Sequence, residues 1–140
     1  MNNLFKTTHT LTFREADPAQ IMFFGNILGL SHDAFEEFIR STPVGWKGYF
    51  GRREVIIPIR HSTVDFKSPF FPGETYDIEV SVAAISDHSY TSRYVFKKDD
   101  KLHAEVKLVH AFVDPKTKSK VKIPDDLKTL FEKYLIHDSK

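Results

Sequence analysis

Apolar residues recur at three- and four-residue steps between Ile27 and Ser41, at Ile27, Leu30, Ala34, Phe35 and Phe38, with Ser31 among them. Asp33, Glu36, Glu37 and Arg40 fall mostly on the opposite side, so the segment predicts an amphipathic helix. Asn26 is placed to cap it, and Pro43 forbids its continuation. Gly29 costs roughly 1 kcal/mol relative to alanine inside a helix, which predicts a close packing contact there. Ahead of this helix, residues 8–14 alternate. Leu11 and Phe13 lie on one side and Thr10, Thr12 and Arg14 on the other, the pattern of a half-buried strand.

After the helix the period changes. Residues 44–53, with Gly45, Gly48, Gly51 and the single Trp46, predict a loop or short helix acting as a lid or connector. Residues 54–67 carry Val55, Ile56, Ile57, Ile59, Val64 and Phe66. Their two-sided start predicts a central strand, against which Pro58 signals a bulge or an edge. Pro72-Gly73 suits the middle of a type II turn. Residues 75–84 alternate with Tyr76, Ile78, Val80 and Val82 inward. A reversal at Ser86-Asp87-His88 leads to Tyr90, Ser92, Tyr94 and Phe96. Beyond the charged turn 97–101 come Leu102, Ala104, Val106, Leu108, His110 and Phe112. Pro124-Asp125-Asp126 opens a short last helix whose apolar side is Leu127, Leu130, Phe131 and Tyr134.

The order is therefore a strand, a long helix, four strands in a meander and a short helix. One helix cannot cover both faces of a five-stranded sheet. The sheet must wrap around it, and apolar surface left over must meet a second copy. This predicts an α+β chain with an antiparallel five-stranded sheet around a central helix, one domain over residues 1–140, and a homodimer or a tetramer built from it.

Composition narrows the function. Hydrophobic residues make up 41% with 13 Phe, enough for a core, and the net charge of +1 gives no reason to expect nucleic acid. Zero cysteines exclude disulfides, thiolate metal sites and a cysteine nucleophile. The start of the chain has no signal-peptide core, and the apolar run 21–30 is too short to span a bilayer. A soluble cytoplasmic chain without membrane contact is expected. The histidines show neither His-x-His nor His-Glu-x-x-His spacing, and Gly-x-Ser-x-Gly is absent, so neither a zinc site nor a serine hydrolase is expected.

One constellation carries chemistry. Asp17 sits in a largely apolar stretch, Glu15-Ala16-Asp17-Pro18-Ala19-Gln20-Ile21-Met22-Phe23-Phe24-Gly25-Asn26, just ahead of a helix start. A carboxylate beside unpaired backbone amides can do base or nucleophile chemistry at a carbonyl. Asp-Pro also opens turns, so a capping role explains the same residue.

The segment 17–26 is similar to a pattern Asp-Pro-Ala-Gly-Ile-Val-Phe-Phe/Tyr-x-Asn of the hotdog fold. In particular it resembles the 4-hydroxybenzoyl-CoA thioesterase family of acyl-CoA thioesterases. The resemblance continues through the helix, the Pro43–Trp46 connector, residues 58–66, the Phe71-Pro72-Gly73-Glu74 turn and the Val121–Pro124 segment. It implies hydrolysis of an acyl thioester to acid and CoA, with Asp17 as nucleophile or general base and the Phe24 backbone amide polarising the carbonyl. Gln20, Ile21, Met22, Phe23, Gly25 and Asn26 are then substrate-contact candidates, although the side chains of Phe23 and Phe24 are expected in the core. His61, Ser62 and Thr63 would line the acyl pocket across a dimer. Neither cofactor nor metal is implied, CoA being part of the substrate. Gln20 departs from the family's Gly, and Ser86-Asp87-His88 supplies no basic hairpin for the CoA phosphates. Lys67, Arg93, Lys97 or Lys98 could substitute, or the carrier could be a phosphopantetheine protein. Two other readings are a non-catalytic acyl-CoA-binding module and, ranked last because His32 has no acidic partner in the pattern, a dehydratase.

Overall fold

The computed structural model describes residues 3–137. Strand β1 (Phe5–Thr10) leads into a single 3-10 turn at Phe13–Glu15, the Asp17 loop and the long helix α1 (Asn26–Arg40). Helix α2 (Gly45–Phe50) and strand β2 (Ile59–Phe66) follow. The remainder is β3 (Thr75–Ile85), β4 (Ser89–Lys98), β5 (Lys101–Ala111) and helix α3 (Asp125–Lys133). The five strands form one antiparallel sheet in the order β1-β3-β4-β5-β2. The result is the expected α+β hotdog architecture.

The order corrects one expectation. Only β3, β4 and β5 form a meander; β2 lies at the far edge, paired with β5 alone. The chain thus leaves one sheet edge at β1, crosses the concave face as α1, and re-enters at the opposite edge. Local apolar content had suggested a central strand, but the residues responsible, Val55 to Ile57, precede the strand. Pro58 and the register shift between Ile59 and His61 mark its irregular start.

Ile27, Leu30, Ser31, Ala34, Phe35 and Phe38 turn inward from α1, as the spacing predicts, and Ile39 joins them. The Phe35 ring stacks on His110 of β5 (5.1 Å) and meets Tyr49 of α2 edge-on (5.2 Å). Tyr90 continues the stack between His110 (4.4 Å) and Phe131 of α3 (3.8 Å), so both helices lie on one face. Burying rings of this size contributes roughly 2–3 kcal/mol each. The opposite face carries cross-strand ion pairs, Arg93 with Glu105 and Lys97 with Glu79.

Three local expectations fail. Strand β1 ends at Thr10, and Phe13, read as inward-facing, is 87% exposed on the 3-10 turn. Gly29 packs against nothing: a Cβ there would meet no atom within 4 Å. Asn26 does not cap α1 but is its first residue, with Gly25 at the cap position. Among the described residues no helix is long and apolar enough to cross a membrane.

Candidate active site

The Asp17 loop is a small hairpin pinned at its base by a bridge between Ala16 and Met22. Asp17 N–H donates to the Ile21 carbonyl (2.8 Å) and Gln20 N–H to the Asp17 carbonyl (2.8 Å). The Asp17 carboxylate accepts the Ala19 N–H through one oxygen, Oδ1 (2.8 Å), the Asx-turn that Asp-Pro favours. Capping and chemistry therefore do not compete, because Oδ2 has no hydrogen-bond partner among the described residues. Gln20 closes the turn in the left-handed region, at φ +67°. That conformation explains the family's glycine, and Gln20 adopts it regardless.

Two clefts flank this loop. One, of about 560 Å³, is lined by Phe13, Ala16, Asp17, Pro18, Gln20, Phe71 and Pro72. The other, of about 330 Å³, is lined by Ile21, Met22, Phe24, Phe66, Lys67, Ser68, Pro69 and Phe70. Asp17, Gln20, Ile21, Met22 and Phe24 thus each reach a cleft, Met22 from a buried position at the floor. Phe23, Gly25 and Asn26 line neither. Phe23 (48% exposed) and Phe24 (66% exposed) lie outside the core, against expectation, their rings 4.9 Å apart.

The amides before α1 are the second component. Phe23 N–H donates to Glu15 O (2.9 Å), Asn26 N–H to Phe23 O (3.0 Å) and Ile27 N–H to Phe24 O (3.3 Å). Between them, the Phe24 and Gly25 N–H groups have no protein acceptor among the described residues. Gly25 lets the Phe23 ring lie close, since a Cβ would stand 2.8 Å from that ring and make it shift. Unpaired amides at a helix start favour negative charge on a bound carbonyl oxygen, and a carboxylate on the adjoining loop can serve as base or nucleophile toward its carbon.

His61, Ser62 and Thr63 are exposed on β2 and belong to neither cleft. Of the proposed cations, Arg93 pairs with Glu105, Lys97 with Glu79 and Lys98 with Glu74, while Lys67 lines the smaller cleft. No group of three or more His, Asp or Glu among the described residues could hold a metal ion.

Glu15 is a site residue that sequence reasoning missed. Its carboxylate accepts Thr12 N–H (2.8 Å) and pairs with His9 Nε2 (3.0 Å), while its carbonyl accepts Phe23 N–H and the Asn26 side chain. Burial raises its pKa, but the Thr12 and His9 contacts outweigh that and hold it below its ordinary value. The signal was present: Thr12-x-x-Glu15 has the spacing of a capping box.

The fold is that of the hotdog thioesterases. The chain belongs to the thioesterase-like superfamily, whose profile matches residues 11–131. It is 31% identical, over 83% of its length and 86% of the relative, to a 1,4-dihydroxy-2-naphthoyl-CoA hydrolase of Trichodesmium erythraeum (strain IMS101). A protein of the same name from Nostoc punctiforme is 28% identical over 88% of this chain and 83% of its own. Among solved structures, a 1,4-dihydroxy-2-naphthoyl-CoA thioesterase from Synechocystis superposes with a TM-score of 0.83 at 18% identity, covering 92% of this chain and 96% of that one.

Proposed function

We propose that this chain hydrolyses an aryl acyl-CoA thioester, with Asp17 as the reacting carboxylate. The observation that carries the reading is Asp17 in the wall of an apolar cleft, on the loop that leads to the unpaired Phe24 and Gly25 amides. The thioester carbonyl oxygen binds at those amides, which stabilise the negative charge that develops as its carbon becomes tetrahedral. Asp17 Oδ2 then either attacks the carbon, giving a mixed anhydride that water opens, or takes the proton of an attacking water. Both routes expel CoA as thiolate and leave the free acid; a thiolate is a good leaving group, so neither a triad nor a metal is needed.

Phe13, Phe71 and Pro72 give the larger cleft flat apolar walls suited to an aromatic acyl group, in keeping with the naphthoyl substrate in the relatives' names. The smaller cleft, with Lys67 and Ser68, takes the pantetheine side. Strand β2 presents an eight-residue edge on which only Val64 is partly buried. An open edge of this kind pairs with another strand, and we propose that a second copy covers it, bringing His61, Ser62 and Thr63 to the acyl pocket.

The test is release of free thiol from a panel of aryl- and alkanoyl-CoA thioesters. Asp17→Asn should lower turnover of the best substrate by 10³-fold or more while the fold is unchanged. Parental turnover in that variant would end the assignment. In a single turnover in H₂¹⁸O, label in Asp17 establishes an anhydride opened at the Asp17 carbonyl, since general-base attack puts the label only into the free acid.

A further inference from the structure

We infer that Asn26 is a positioning residue for the proposed reaction: its side-chain amide, donating to the Glu15 carbonyl, fixes the direction of the free Phe24 and Gly25 amides. This rests on the assignment of those amides to the thioester oxygen.

Asparagine is among the best helix caps, yet here it stands one position inside the helix and turns its side chain backwards. Its Nδ2 lies 2.9 Å from Glu15 O, and only the nitrogen end of the amide can face a carbonyl oxygen. The same oxygen accepts Phe23 N–H at 2.9 Å. Residues 23 and 26 are therefore tied to one atom, and the two peptide units between them are those whose N–H groups remain open.

That atom is itself anchored. The Glu15 carboxylate is bound by Thr12 N–H and His9, which join it to the end of β1. Two residues further on, the Asp17 hairpin is closed by its own backbone bonds. Glu15 O is thus the common reference for the acid and for the amides. Gly25 adds no side chain between them, and its closest neighbour is the Phe23 ring.

The energetic consequence is asymmetric. A single neutral hydrogen bond at a half-buried site adds little to folding. Small errors in aim at a transition-state oxyanion, by contrast, cost rate steeply. Losing the Asn26 contact should therefore lower kcat far more than it lowers stability. A purely structural role predicts the reverse.

Asn26→Asp tests this. It is nearly isosteric, has no N–H to give Glu15, and carries a charge that a helix start tolerates well, so the fold is retained. With the CoA thioester that the parent turns over best, kcat should fall at least tenfold with KM within threefold and Tm within a few degrees. The Phe24 and Gly25 amide cross-peaks should shift in ¹⁵N–¹H spectra. Asn26→Gln, which keeps the donor on a longer arm, should recover part of the rate. A kcat within twofold of the parent in Asn26→Asp overturns the inference, as does an activity loss that merely follows loss of folded protein. Asp17→Asn is run beside it: an active Asp17→Asn ends the proposed reaction itself. An inactive Asp17→Asn with parental Asn26→Asp ends only the positioning role.

Discussion

Gln20 donates its N–H to the carbonyl of Asp17 at 2.8 Å while holding a left-handed backbone, φ +67°, that its side chain disfavours. The hairpin presenting the acid is therefore built on a strained residue. Left-handed geometry costs a non-glycine residue roughly 1–2 kcal/mol, partly offset on mutation by the extra chain entropy of glycine, roughly 0.5–1 kcal/mol. Gln20→Gly is thus expected to stabilise the protein by about 0.5 kcal/mol in urea melts. Turnover should stay within a few-fold of the parent, because the turn alone requires this position. A tenfold loss would instead mean that the Gln20 amide contacts the substrate.

The buried His110 gives stability its own acid limit. Burial, reinforced by the field of His32, pushes its pKa down from 6.5 to about 3; the ring hydrogen-bonds Ser92 Oγ at 2.8 Å. The unfolded chain takes up a proton near pH 6.5 that the folded chain refuses until about pH 3. Stability is therefore full above pH 6.5 and falls as the pH drops toward 3, at about 1.4 kcal/mol per pH unit. Glu15 and Asp114, both held below their ordinary values, act only in the carboxylate range, below about pH 4.5, where their protonation also disfavours the folded chain. The window from pH 6.5 to 5 belongs to His110. Urea melts of His110→Gln should lack the slope there and be less stable at pH 7 than the parent, having lost the ring stack. A slope that persists in the variant would move the effect to another group.

The second copy proposed at the β2 edge makes assembly a test. With a second copy along Ile59–Phe66, the protein should sediment at twice the monomer mass. Replacing Ser62 and Thr63 together by lysine should yield a folded monomer, since exposed lysines at an edge deter pairing. Turnover should fall with the dimer. A double variant that remains dimeric would place the interface elsewhere, and an active monomer would show the site complete in one chain.

Much of this architecture is written in local periodicity. The helix from Asn26, the inward faces of β3, β4 and β5, and the Phe71-Pro72-Gly73-Glu74 turn, with Gly73 at φ +88°, follow from residue spacing. Each depends on neighbours a few positions away, which a sequence displays. The Asp17–Asn26 segment was legible for the same reason.

Long-range placement was not legible. No local signal says that β2 crosses to the far edge, so its apolar approach read as a central strand. Phe13, Phe23 and Phe24 read as core because an aromatic ring signals burial, but rings lining an open cleft carry the same signal. Asn26 read as a cap because its preferred local acceptor role is visible in sequence, whereas the Glu15 carbonyl eleven residues earlier is brought to it only by the turn between them. Sequence alone determined most of the elements and singled out Asp17 as the candidate acid. The tertiary structure decided which edge β2 takes, which rings face the cleft and which carbonyl the Asn26 side chain reaches, because those depend on groups that meet only when the chain closes on itself.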